Sequence, residues 1–242
     1  MIALRRNDVF EQPPVGCVVL HSIPTLPEGG DRAFLEPLHG RARRVVYLST
    51  TSVYGDARFV DEHTPIQPVT ESARSRGLTE AAVASGPWES LILRPAAIYG
   101  PGRGVHVALR EGRYAMAADG SKFISRIHVD DLAAVVEAGL GAEITGAFPV
   151  ADSRPCTSLE MASYCAGLLG VGLSAPGSGV VPESRRANRK VDGSAILREL
   201  KLTLRYPSFV EGVPACLDAE SSTLEEAGGG GRVVECGGLE NR

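Results

Sequence analysis

The sequence predicts an α/β fold built on a parallel sheet, and two observations lead to this prediction. Short apolar runs rich in valine alternate with segments of helical length, which is typical of buried parallel strands joined by crossover helices. The composition of the 242 residues, 43% hydrophobic and 22% charged, is ordinary for a globular chain that can bury one good core. We therefore expect strands and helices to follow one another along most of the chain.

The first half of the chain contains three predicted strands and two predicted helices. The strands are VGCVVLHS at 15–22, RVVYLST at 44–50 and WESLILRP at 88–95, each short and apolar. A short crossover helix is predicted at 31–38. A longer helix is predicted at 70–85, because it opens on a threonine that suits an N-cap and is followed by a glycine.

The second half continues this alternation. Its predicted elements are helices at 128–140 and 157–170, a strand at 146–152, a loop at 171–187, and two short helices at 192–200 and 206–217. The helix at 157–170 begins with the capping-box pattern Thr157-x-x-Glu160. Beyond residue 217 the chain is rich in glycine and has no apolar periodicity, which predicts a disordered tail over 218–242.

Composition and simple motifs exclude several classes of function. The net charge of −4 gives no reason to expect nucleic acid as a partner, and no apolar run approaches the roughly 18 residues that a membrane span needs. The five cysteines form no CxxC pair and the five histidines are scattered, so we expect a reduced, cytoplasmic protein without a metal. Neither G-x-S-x-G nor a P-loop motif occurs, which argues against a serine hydrolase and a P-loop nucleotidase.

Four motifs occur in a recognisable order and spacing. They are VVYLSTTSVYGD at 45–56, LILRPAAIYGPGR at 91–103, RIHVDDLA at 126–133 and YPSFVEGV at 206–213. In this order they resemble the extended and atypical short-chain dehydrogenases/reductases, the family of NAD(P)-dependent epimerases and dehydratases. The resemblance covers roughly residues 15–215, which is most of the chain.

The resemblance implies a domain organisation and a function. It implies a Rossmann-like NAD(P)-binding domain over 1–217, with a small substrate lobe formed mainly by 100–126 and 151–217. It also implies an oxidoreductase that acts on a nucleotide sugar or a related hydroxyl or carbonyl compound. Ligands of such sheets gather at the carboxyl ends of the strands, where the first two motifs fall.

The catalytic positions implied by the resemblance depart from the family pattern. Thr50 occupies the Ser/Thr position, whereas Ser72 stands at the tyrosine position and Arg76 at the lysine position, and no YxxxK occurs in the chain. Serine is a far weaker acid than a phenol, and a guanidinium stays charged and cannot donate its proton. Two readings therefore stay open, an oxidoreductase with degenerate machinery and a noncatalytic dinucleotide-fold binding or scaffold protein.

Tyr54 with Arg58 and Tyr99 with Arg103 each form a YxxxR pattern at a strand end. Either tyrosine could supply a substitute acid, and the plainer reading is that both pack inside the protein.

The family's glycine-rich fingerprint, which holds the pyrophosphate, is absent from this sequence. The opening MIALRRND resembles the end of the family's second strand, so the sheet is expected to be N-terminally incomplete. There Arg5 and Arg6 would bind the cofactor and slightly favour NADP over NAD, unless they form a solvated basic terminus. We expect 15–22 to be an exposed edge that is filled by 2–4, covered by a partner in a homodimer, or left by a shortened gene.

Further ligand contacts are implied by the resemblance. Pro95, Ala96 and Ile98 would line the nicotinamide side of the cofactor. Tyr99, Arg126 and His128 would contact the substrate, although a lone histidine is more often structural. The polar cluster at 188–190 is expected to be solvated.

Overall fold

The computed structural model describes residues 13–24, 32–116, 120–173 and 188–228. The described strands are β1 (Cys17–His21), β2 (Ala42–Leu48), β3 (Phe59–Val60), β4 (Glu89–Pro95), β5 (Ala97–Tyr99), β6 (Phe123–Ile124), β7 (Arg126–His128), β8 (Gly146–Val150), β9 (Cys156–Thr157) and β10 (Lys190–Val191). The described helices are α1 (Arg32–Leu35), α2 (Glu71–Ala84), α3 (Val105–Arg110), α4 (Val129–Gly141), α5 (Ser158–Leu169), α6 (Ser194–Leu200) and α7 (Phe209–Gly228). Short 3₁₀ turns lie at Glu36–Leu38 and Thr51–Tyr54.

A four-stranded parallel sheet in the order β1-β2-β4-β8 forms the centre of the protein. Its middle strands are buried on both faces, because the consecutive residues Val45 and Val46 of β2 and Leu91 and Ile92 of β4 are all buried. This burial explains why their sequences read as continuous apolar runs rather than as alternating ones. The predicted α/β fold with a Rossmann-like parallel sheet is confirmed.

Helix caps form where the sequence pattern predicts them. Thr70 Oγ1 accepts a hydrogen bond from Ala73 N at 3.2 Å at the start of α2. Thr157 Oγ1 accepts from Glu160 N at 3.1 Å at the start of α5. Such caps satisfy backbone N–H groups that the first helical turn leaves without partners.

Three short strand pairs form separate two-stranded sheets and were not predicted. β5 pairs with β7 and β3 pairs with β10, both parallel, while β6 pairs with β9 in antiparallel fashion. Beside them α3, α5 and α7 enclose a second apolar core, whose buried residues include Met161, Cys165, Phe209 and Val213. This second core coincides with the segments that the resemblance assigns to a substrate lobe, and the lobe's role stays a prediction.

The predicted disordered tail is wrong for residues 218–228, because α7 continues to Gly228. One reason lies in Glu220, whose carboxylate accepts from Gly102 N at 2.6 Å, lies 3.1 Å from His106 Nε2 and pairs with Arg110. These contacts tie the helix to α3 and its preceding loop, so the chain stays helical without an apolar period. Residues 229–242, and 174–187 of the predicted loop, lie outside the described residues.

Among the described strands β1 is an outer one of the sheet, and it exposes two apolar side chains on one face. In the part of the chain that is described, β1 pairs with β2 and no strand lies on its other side. Val18 and Leu20 are 37% and 40% exposed. The predicted exposed edge, and the homodimer that would cover it, both stay predictions. Residues 2–4, Arg5 and Arg6 lie outside the described residues.

Across the described ranges, no helix combines the length and the hydropathy that a membrane crossing requires.

Candidate functional site

Thr50 and Pro95 lie at the same edge of the sheet. Leu48 of β2 pairs with Leu93 of β4, and Ser49 N donates to Leu93 O at 2.7 Å. Thr50 follows immediately and Pro95 ends the neighbouring strand, so both stand at carboxyl ends. This edge, here called the carboxyl edge, is where open parallel sheets bind their ligands. The predicted placement of the two residues is confirmed, and their roles stay predictions.

The loop after β2 is fixed by local bonds. Thr50 Oγ1 accepts from Ser52 N at 3.2 Å and caps the 3₁₀ turn that follows. Gly55 ends this turn at φ 59°, and a Cβ at this position would come within 2.1 Å of Gln67 O. Only glycine fits there, because both the backbone angle and the close approach exclude a side chain.

Arg76 reaches the carboxyl edge from α2. Its Nη1 donates to Tyr47 Oη at 3.0 Å and to Leu48 O at 3.1 Å, at the last residues of β2. Ser72 lies one turn earlier on the same face of the helix and is exposed. The arrangement brings a permanent cation to the strand end, with an exposed hydroxyl one turn away, and offers no acid of suitable strength.

A buried polar network, here called the Glu80 network, lies where α2 meets the ends of β2 and β4. Arg94 donates to Glu80 through Nε at 3.1 Å and through Nη2 at 2.8 Å, which makes a two-pronged ion pair. Ser49 Oγ donates to the same carboxylate at 2.6 Å, and Arg94 Nη1 donates to Tyr54 Oη at 3.1 Å. The network holds α2 against the ends of β2 and β4, because its members come from all three segments.

Tyr54 is unsuited to replace the missing catalytic tyrosine. Its side chain is fully buried, and its hydroxyl donates to Asp61 O at 3.3 Å. Burial raises the pKa of Tyr54, although the hydrogen bond from Arg94 acts in the opposite direction. The plainer sequence interpretation, that this tyrosine packs, agrees with its burial.

Tyr99 and His128 use their polar atoms inside the protein. Tyr99 Oη donates to Ser208 O at 3.3 Å, and burial raises the pKa of this phenol. His128 Nδ1 accepts from Asp130 N at 3.2 Å, which caps α4, and its Nε2 lies 3.4 Å from Cys216 Sγ. Burial lowers the pKa of His128. These contacts are structural, and the substrate roles of both residues stay predictions.

The remaining predicted ligand contacts are also enclosed. Arg126 is buried and its Nη1 donates to Ile124 O at 3.0 Å. Ala96 is buried and its N–H donates to Val150 O at 2.9 Å, while Ile98 pairs with Ile127 in the β5–β7 ribbon. These residues shape the wall next to Pro95, and their contacts to a cofactor or substrate stay predictions.

Arg189 was missed by sequence reasoning, and the expectation of a solvated cluster at 188–190 is wrong for it. Its guanidinium is buried and donates to Ala57 O at 3.1 Å, to Thr51 O at 2.6 Å, and to Gly55 O. It therefore clamps the loop after β2 from the far end of the chain. Nothing in its sequence neighbourhood signals this contact, because its partners lie more than a hundred residues away.

The described residues fit one end of a dinucleotide. Thr50, Arg76 and Pro95 converge on the carboxyl edge, where a nicotinamide ribose could meet a donor and a strand end. The described residues do not provide a site for the pyrophosphate, because they include no glycine turn beside β1. Within the same residues, no group of three histidine, cysteine or carboxylate side chains could hold a metal ion.

Comparison with known proteins places the chain in a family. No protein-family model matches it. It is 32% identical over 177 residues to Protein YeeZ of Escherichia coli (strain K12), a match that covers 69% of this chain and 60% of that protein. The chain thus spans 60% of the length of this curated relative.

Solved structures extend the comparison. A conserved protein of unknown function from Silicibacter pomeroyi shares 31% identity and a TM-score of 0.73, covering 86% of this chain and 80% of its own. A Methylobacillus flagellatus protein assigned to the NAD-dependent epimerase/dehydratases shares 28% identity and a TM-score of 0.65, with coverages of 78% and 69%. A Bacillus anthracis dTDP-glucose 4,6-dehydratase in complex with NAD, at 19% identity and a TM-score of 0.68, covers 81% and 68% and shows the fold alone.

The fold is Rossmann-like, and the chain belongs to the same family as the Silicibacter protein. Its structural neighbours include NAD-dependent epimerase/dehydratases, which agrees with the resemblance that the four motifs carry.

Proposed function

We propose that this protein binds the nicotinamide-ribose end of NAD(P) at the carboxyl edge and lacks the proton transfer of the family's reaction. The observation that carries this proposal is the position of Arg76. Its guanidinium lies at the end of β2, bonded to Tyr47 and Leu48, where the family resemblance expects the ribose-binding lysine. A guanidinium has five N–H donors, and the two bonds described use one nitrogen, so the group suits ribose hydroxyls.

The missing proton transfer follows from the acids available at this edge. Ser72 is an exposed hydroxyl with no phenol-like acidity, and Arg76 keeps its charge. Tyr54 is held in the Glu80 network with a raised pKa. When bound, NAD(P) would supply hydride chemistry, but these residues offer no partner that gives or takes the accompanying proton near neutral pH.

The second ligand is proposed to be a nucleotide sugar or a related hydroxyl or carbonyl compound. The support is the resemblance of the four motifs to the NAD(P)-dependent epimerase/dehydratase family, together with the similar Methylobacillus protein assigned to the NAD-dependent epimerase/dehydratases. The choice of NADP over NAD stays a prediction, because it depends on Arg5 and Arg6. The similar dehydratase structure contains NAD.

Fluorescence titration of the purified protein with NADH and NADPH tests the proposal. We expect binding by the wild-type protein and an affinity about tenfold lower in Arg76→Ala, because a charge-assisted hydrogen bond contributes about 1.4 kcal/mol or more. Arg74→Ala is the matched control, since this exposed arginine on the same helix donates to Val69 O. Absence of binding at millimolar cofactor, or equal losses in the two variants, would contradict the proposal.

A further inference from the structure

A polar cavity lies beyond the end of β8. It has a volume of about 590 Å³ and is lined by the β3–β10 ribbon, the segment after β8 and the start of α6. The side chains that carry the argument are Phe59, Asp61, Asp152, Lys190, Asp192 and Leu197. This volume falls within the range of small-molecule sites. We call it the Asp152 pocket.

Asp152 is an unusual member of this lining. It is only 3% exposed, and its Oδ1 accepts from Arg154 N at 3.3 Å. Its Oδ2 is buried and has no hydrogen-bond partner in the described residues. A buried acceptor left without a donor costs about 1–3 kcal/mol, so a donor from a ligand would relieve this cost. The broad terminal torsion of aspartate lets either oxygen turn toward the cavity.

The charges of the pocket select the kind of donor. Asp61 and Asp192 are ionised at neutral pH, because hydrogen bonds from Thr64 and Ser194 lower their respective pKa values. Lys190 is the one cation among the described lining residues. The lining is therefore net negative, which disfavours phosphates and other anions and favours a cation.

The wall of the pocket already accommodates an ammonium group. Lys190 Nζ lies 3.8 Å from the ring centre of Phe123 and 5.6 Å from that of Phe59. The Phe59 ring is 73% exposed, so one aromatic face remains open to a ligand. Aromatic faces and carboxylates together are typical of sites for organic ammonium ions. A shared metal ion is disfavoured, since no three candidate ligands in the described chain are suitably arranged.

We propose that the Asp152 pocket binds a small organic ammonium ion, a primary or secondary amine with an apolar body, whose N–H group donates to Asp152. The apolar body would pack on Phe59 and Leu197. The proposal uses none of Thr50, Arg76 and Pro95, on which the proposed NAD(P) binding depends, and Asp152 lies two residues beyond Val150, the β8 residue that pairs with Pro95.

Binding of such an ion should be linked to proton release. Burial raises the pKa of Asp152 to about 7, with nearby Arg126 lowering it and Asp131 and Glu211 raising it further. A bound cation favours the ionised carboxylate. Affinity should therefore rise about tenfold from pH 6 to pH 8, as the ionised fraction of Asp152 rises from about one tenth to about nine tenths.

Isothermal titration calorimetry with benzylamine and benzyl alcohol tests this proposal, because the two probes have the same shape and the amine stays protonated in this range. We expect benzylamine to bind about tenfold more tightly at pH 8 than at pH 6, and benzyl alcohol to show no such gain. Asp152→Asn should weaken amine binding at pH 8 about tenfold and remove its pH dependence. Phe59→Ala, at an exposed position, should also weaken it, and this variant keeps the test open if Asp152→Asn fails to fold.

Glu62→Gln is the control, because this acid neighbours Asp61 and does not line the pocket. Equal affinities for amine and alcohol, or a pH dependence that persists in Asp152→Asn, would overturn the proposal. NAD(P) titrations of the same variants should match the wild-type protein, so failure here and failure of the proposed function are separately visible.

Discussion

The Glu80 network and Asp152 lie at the ends of strands of the same sheet, and they differ in the hydrogen-bond partners of their buried carboxylates. In the network, the Glu80 carboxylate receives both prongs of Arg94 and the hydroxyl of Ser49. Asp152 is equally buried, yet one of its oxygens has no partner in the described residues. A paired buried charge fixes the framework, whereas an unpaired one costs stability and marks a place for a ligand.

The largest expected effect on stability comes from removing the paired carboxylate, that of Glu80. Glu80→Ala would leave the Arg94 guanidinium buried without its carboxylate, which should lower the free energy of unfolding by about 3–5 kcal/mol. Urea denaturation monitored by circular dichroism measures this free energy. Ser72→Ala, at an exposed position of the same helix, should change the free energy of unfolding by about 0.5 kcal/mol or less. Similar losses in the two variants would show that the network is not the framework described.

The unpaired carboxyl of Asp152 predicts that the stability of the protein depends on pH. The pKa of Asp152 in the folded protein, about 7, lies above the usual value for an aspartate, so the folded state holds this proton more tightly than the unfolded state. The stability that protonated Asp152 contributes is therefore fully present below about pH 4. This contribution to the free energy of unfolding is lost as the pH rises toward 7, by at most about 4 kcal/mol. Asp152→Asn should flatten the unfolding free energy between pH 5 and pH 8, and an unchanged slope would refute the prediction.

A smaller effect on stability is expected for Arg76, which bonds Tyr47 and Leu48 at the carboxyl edge. Arg76→Ala should lower the unfolding free energy by about 1 kcal/mol, because its two described bonds are half-exposed. The same substitution should lower cofactor affinity about tenfold. A large stability loss without an affinity loss would make Arg76 part of the framework rather than of the binding edge.

Sequence patterns predicted the features that depend on neighbouring residues. The strands at the sheet centre, the caps at Thr70 and Thr157, and the joint position of Thr50 and Pro95 all follow from local spacing and from the parallel topology. The ion pair of Glu80 with Arg94 could not be predicted in this way, because it depends on how α2 packs against β4.

Longer-range contacts escaped prediction for the same reason. Arg189 bonds a loop more than a hundred residues earlier, and Glu220 extends α7 through contacts with the region of α3. The burial of Asp152 depends on several segments that meet only in the folded chain. The sequence led us to expect that Arg189 is solvated and that the residues after 217 are disordered. Tertiary contacts contradict the first expectation, and they contradict the second for residues 218–228.

The most direct measurement of the central claim is a single-turnover experiment that follows cofactor binding and hydride transfer in one sample. Protein is mixed with stoichiometric NAD⁺ and excess UDP-glucose or dTDP-glucose, and absorbance at about 340 nm is followed after binding has been verified by isothermal titration calorimetry. We predict that the cofactor binds and that no NADH forms, because the proposed cofactor edge has, among the described residues, only Ser72 and Arg76 at the positions of the family's proton-transfer pair. Stoichiometric NADH formation, slowed in Ser72→Ala, would contradict this account.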